Sequence, residues 1–179
     1  MKPSNVLVLP GWQGSGPQHW QTLWERQHGL RRAEQHDWLQ PLRGDWIARL
    51  EDVVLSCDEP AVLVAHSLGC ILVAAWASVS RNTARVKGAL LVAPADVEHE
   101  ALRPQTRSWR PIPLQRLPFR SVLVASQDDP FCGIDRARTF AQGWGSQFMN
   151  HGRCGHINAE SGLGSWPEGH LLLQDLIND

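Results

Sequence analysis

Several short runs in this chain are apolar almost from end to end and stop at turn-forming residues: Asn5–Leu9, Ala61–Ala65, Gly88–Ala93 and Ser121–Ala125. A strand with one wet face alternates polar and apolar residues, whereas a run with no polar side must be covered on both faces. That requirement restricts the fold to a parallel sheet between two helical layers. A weaker run at Ser146–Asn150 and a poorly patterned one at Ala33–Asp37 bring the expected strands to about six. Helical patterns fill the gaps at Pro17–Gln27, Asp45–Leu55, Leu68–Ser78, Gly133–Trp144 and Pro167–Ile177, with Asp45 expected as a cap and Pro167 at a first helical position. The alternation predicts an α/β, three-layer αβα sandwich with a mostly parallel sheet, as a single domain over residues 1–179.

Charge excludes some partners. A net charge of −1 gives no general attraction to nucleic acid or anionic membrane, and neither is expected as a partner. Met1–Ser4 leads directly into Val6–Leu9, too short an apolar run for export or membrane spanning, which predicts a cytoplasmic protein. Cys57, Cys70, Cys132 and Cys154 have neither CxxC nor zinc-type spacing and read as reduced thiols. Asp96-Val97-Glu98-His99-Glu100 reads as a solvated acidic turn, and no metal or cofactor is expected. Residues 94–118 hold five of the twelve prolines without clear periodicity, a length of loop that usually covers something.

Inside one buried run stands A-H-S-L-G, residues 65–69, between a strand and a helix. Strand, tight turn and helix form the setting of a nucleophile elbow, with Ala65 in place of the usual first glycine. The turn lifts Ser67 above the sheet, and the N-terminus of the next helix brings the Leu68 N–H to where an oxyanion forms. A second donor is expected from Leu9–Gly16, with its three glycines; the Trp12 N–H is favoured and that of Gln13 is next. The glycine spacing there is not that of a dinucleotide loop.

A nucleophilic serine on this framework needs an acid and then a histidine, each after a strand. His156, in G-R-C-G-H-I-N after the last strand, fits the base, with Gly155 permitting the turn and His151 as the rival. His170 falls within a helical pattern. Asp129, in S-Q-D-D-P-F, fits the acid, with Asp128 and Asp96 as alternatives. Trp12, Trp109 and Trp166 are candidates for a substrate pocket. Five arginines and no acidic residue lie between 101 and 127, a stretch read as a solvated loop, with attraction of a carboxylate-bearing substrate or of a partner's acidic surface as the alternative.

Taken in order, A-H-S-L-G, S-Q-D-D-P-F and G-H-I-N-A-E-S-G resemble the small serine-hydrolase family that includes retinoblastoma-binding protein 9 and bacterial YdeN-type proteins, on the bacterial side and over nearly the whole chain. The resemblance implies a compact α/β-hydrolase fold with spatial strand order 2-1-3-4-5-6. It also implies Ser67 as nucleophile, Asp129 as acid and His156 as base. Two functions follow as expectations: hydrolysis of small carboxylic esters, thioesters or amides through an acyl-serine, or a protein-interaction module that uses residues 94–120 on a hydrolase scaffold.

Overall fold

The computed structural model of the chain describes every residue except Arg103 and Asp179. Arg103, one of the five arginines of the basic stretch, and Asp179, the last residue of the expected domain, therefore lie outside the described residues. The strands are β1 (Val6–Leu9), β2 (Arg31–Arg32), β3 (Ala61–His66), β4 (Val86–Val92), β5 (Arg120–Ala125) and β6 (Gln147–Asn150). The helices are α1 (Trp20–His28), α2 (Arg43–Leu55), α3 (Leu68–Ala77), α4 (Ile134–Trp144) and α5 (Pro167–Asn178). All pairings are parallel, and the sheet order is β2-β1-β3-β4-β5-β6, as the resemblance implied.

Alternation along the central strands sorts the core into two layers. Leu7, Leu9, Leu63, Ala65, Leu91 and Leu123 face a layer built from α2, α3 and α4. Val6, Val62, Val64, Leu90, Val122 and Val124 face α1 and α5. Both faces are dry, which is why these strands carry no polar side. Each fully buried aliphatic side chain contributes about 1.5–3 kcal/mol by leaving water.

Two local expectations are corrected. The edge strand is Arg31–Arg32 and not Ala33–Asp37. Ala33 gives a last hydrogen bond to Val8, 2.9 Å, and then β1 ends at Leu9 and Pro10, so the following residues have no ladder to join. Helix α2 starts two residues earlier than expected, with Leu42 at the cap position and no side-chain cap. Asp45 lies in its first turn, where a carboxylate favours the positive dipole end without capping it.

The tryptophan-rich composition has a structural use. Seven of the nine indoles are fully buried, and each N–H reaches a partner. Trp20, Trp24, Trp46, Trp109 and Trp144 donate to the carbonyls of Ile157, Ser165, Asp37, Pro41 and Pro113. Large apolar bodies thus anchor in the core while their polar tips tether irregular segments. The 94–118 segment is held in the same way: Val97, Trp109, Ile112 and Leu117 are buried, and Arg136 of α4 pairs with Asp96 at 3.3 Å and Glu98 at 2.5 Å. The acidic turn is therefore a clasp on α4 and not a purely solvated loop. No helix among the described residues is long and apolar enough to cross a membrane.

Candidate active site

The sharpest backbone feature is at Ser67, between β3 and α3. Its φ of 55° and ψ of −119° lie where a non-glycine residue is strained, and such strain persists only when the surroundings enforce it. Three contacts enforce it here. The Ser67 N–H donates to Val92 of β4 (3.0 Å), and its carbonyl accepts from Cys70 (3.0 Å). Gly69 is the third: a Cβ there would overlap the Leu9 carbonyl oxygen, so only glycine allows α3 to start this close to β1.

Cys70 and Cys132 are nearby thiols, but burial pushes the Cys70 thiol strongly up and that of Cys132 up to about 12. Neither is an activated nucleophile at neutral pH.

His156 and Asp129 meet above the same end of the sheet. His156 Nδ1 is 2.9 Å from both Asp129 oxygens, and the two side chains are 9% and 2% exposed. Asp129 Oδ1 also accepts the Phe131 N–H at 2.9 Å, which fixes the carboxylate plane. A carboxylate on Nδ1 selects the tautomer that leaves Nε2 free of its proton.

The rival groups are engaged elsewhere. Asp128 accepts from the Ser126 hydroxyl and the Gly155 N–H, each at 2.9 Å, and these hydrogen bonds hold it below the usual carboxylate range. Asp96 faces Arg136. His151 accepts the Trp166 indole N–H at 3.2 Å, and His170 stacks on His28 with centroids 4.0 Å apart.

Ser67, His156, Trp12 and Leu68 line one cavity of about 440 Å³, together with His19, His66, Ala95, Leu102, Thr106, Phe131 and Asn158. Leu68 is the first residue of α3, so its N–H has no partner within the helix. The Gln13 N–H donates to Trp38 at 3.0 Å, which removes it as a rival to Trp12 for the second donor. The 94–118 segment supplies Ala95, Leu102 and Thr106 as one wall.

Of the three tryptophans expected at a pocket, only Trp12 reaches this cavity. Trp109 is fully buried against Trp46, with centroids 5.5 Å apart. Trp166 packs between Trp20 and Trp24 and borders a separate small cavity beside β6. Both loop positions turn inward because an indole gains more by burial than by lining a wet opening. Among the described residues no lysine or arginine lines the cavity, and Arg107 borders a different groove.

Among the lining residues that went unassigned in the sequence are two histidines, His19 and His66. Burial, with His156 and Arg32 nearby, pushes His19 down to about 3. Burial also drives His66 well below the usual histidine range. Both are neutral imidazoles at the floor of the site.

A family model described as Serine hydrolase matches residues 6–175. No curated protein sequence matches the chain. Among solved structures, the chain is similar to a YdeN-like hydrolase from Pectobacterium atrosepticum, with 29% identity over 96% of this chain and 89% of that one, and a TM-score of 0.84. It shares the fold of the ydeN gene product of B. subtilis, with 19% identity, coverage of 97% and 98%, and a TM-score of 0.74. It also shares the fold of a monoacylglycerol lipase of Paleococcus ferrophilus, with 11% identity, coverage of 97% and 93%, and a TM-score of 0.69.

Proposed function

The chain belongs to the serine hydrolase family, and from that premise we propose that it cleaves small, uncharged carboxylic esters through an acyl-serine intermediate on Ser67. The observation that carries the reading is the buried Asp129–His156 pair opening on the same cavity as a strained serine. Esterase- and lipase-named proteins among the structural neighbours support the choice of ester over amide.

In this mechanism Ser67 Oγ attacks the ester carbonyl as His156 Nε2 takes its proton. Asp129 holds the Nδ1–H and stabilises the imidazolium without taking the proton itself. The N–H groups of Leu68 and Trp12 receive the developing oxyanion, a contribution of about 3 kcal/mol per donor to the barrier. His156 then protonates the departing alcohol. A water molecule, activated by the same nitrogen, releases the acid and restores the serine. Thioesters follow the same path and are the nearest alternative substrates.

The test is steady-state hydrolysis of p-nitrophenyl acetate and butyrate by the parent, Ser67→Ala and His156→Ala proteins. Turnover by the parent and a loss of about 10³-fold or more in both variants is the expected result. Equal turnover by all three proteins would overturn the reading.

A further inference from the structure

Four consecutive residues carry the proposed base, and the backbone of each is fastened from outside that loop, by the segment after β5, by α1 and by β3. The Cys154 N–H donates to the Ser126 hydroxyl and the Gly155 N–H to Asp128, both at 2.9 Å. On the other side, the Ile157 carbonyl accepts the Trp20 indole N–H at 2.8 Å. The remaining tether is the carbonyl of His156 itself, 2.9 Å from His66 Nε2.

His66 is the residue immediately before the strained serine and the last residue of β3. Its hydrogen bond therefore joins the nucleophile's own strand to the backbone of the base, across 90 residues of sequence. A carbonyl can only accept, so His66 must carry its proton on Nε2. The ring has little room to adopt another arrangement. It is 5% exposed, with His156 at 4.8 Å between centroids, His19 edge-on at 4.7 Å and Trp20 at 6.1 Å. No carboxylate is among these ring neighbours, and burial keeps the imidazole neutral, which suits a donor whose charge never changes.

We propose that His66 is a positioning residue for the hydrolytic reaction: through its Nε2–H it fixes the His156 backbone relative to Ser67, so that the imidazole of the base stays in register with the nucleophile. The inference rests on the assignment of His156 as base. Asp129 sets the ring's tautomer from one side, while His66 sets the location of its main chain from the other. A displacement of about 1 Å between reacting groups can cost about 100-fold in rate, so a single backbone tether is enough to matter.

The test compares the parent with His66→Leu and His66→Gln, using kcat and KM for p-nitrophenyl butyrate and the pH profile of kcat/KM. His66→Leu is expected to lower kcat about 10- to 100-fold with little change in KM, and to alter the pH profile. His66→Gln, whose amide N–H can reach the same carbonyl, is expected to recover most of the rate. Nitrogen-15 NMR of the folded parent's imidazoles, which depends on no variant folding, is expected to find His66 as the Nε2–H tautomer. An active parent with His66→Leu matching it in kcat and pH profile overturns the positioning role alone. So does a His66→Gln protein as slow as His66→Leu, or a Nδ1–H tautomer in the parent. An inert parent overturns the esterase reading, and the positioning role falls with it.

Discussion

Nδ1 of His156 lies 2.9 Å from each carboxylate oxygen of Asp129, with both side chains nearly closed to solvent. An ion-orienting pair so placed belongs to catalysis more readily than to stability, because burying a carboxylate for structure alone is costly.

Asp129→Asn is expected to lower kcat on the order of 10³- to 10⁴-fold while leaving the fold intact, since an amide can present its N–H to Nδ1 and stabilise the wrong tautomer. Asp128→Asn should have a much smaller effect, because Asp128 holds the Gly155 N–H and not the imidazole. Steady-state kinetics of the two variants separates the neighbouring acids.

Glycine substitutions should separate stability from activity around the elbow. Gly69→Ala drives a methyl group into the Leu9 carbonyl and is expected to destabilise the protein by about 1–3 kcal/mol or more in urea unfolding. At Gly11 a Cβ would lie 2.8 Å from Ser67 Cβ and 3.2 Å from its Oγ. Gly11→Ala should therefore lower turnover out of proportion to any loss of stability.

Acid should weaken the fold through the two buried histidines. His19 has its pKa depressed to about 3 when folded, so below the ordinary histidine pKa the unfolded chain binds the extra proton. Its stabilising contribution is full above that value and declines as pH falls from there toward about 3, with roughly 2 kcal/mol lost between pH 7 and pH 5. His66 is shifted in the same direction and adds to the loss. Urea melts at the two pH values check this, and His19→Gln should flatten the difference. Equal stability at both would contradict buried neutral imidazoles.

Charge in the cavity should select against anionic substrates. Glu160 lines the opening, and among the described residues no lysine or arginine does. Neutral short-chain esters are expected to outpace half-esters of dicarboxylic acids in kcat/KM, and Glu160→Gln should narrow the gap, most clearly at low ionic strength.

The features legible in the sequence were those fixed by local chemistry. Ser67, Gly69 and the strand before them announce an elbow because strand, turn and helix are contiguous. Asp129 and His156 stood out as candidates because each lies in a loop after a strand. The misplaced edge strand has the opposite character: two arginines carry it, and its length is set by where β1 ends, which local pattern does not record. Trp109 and Trp166 sit in loops, and only the folded chain reveals that those loops turn their indoles inward. His66 was visible beside the serine, but its partner lies 90 residues away and is a backbone carbonyl, an atom every residue possesses. The signal available was a polar ring at a buried strand end, which demands a partner without naming it.

The most direct measurement of the central claim is fluorophosphonate labelling of the purified protein, read by intact mass, beside Ser67→Ala and Asp129→Asn. An activated Ser67 predicts one adduct on the parent, none on Ser67→Ala and slowed labelling of Asp129→Asn. A folded parent that takes no adduct, or a Ser67→Ala protein labelled as fast as the parent, would contradict it.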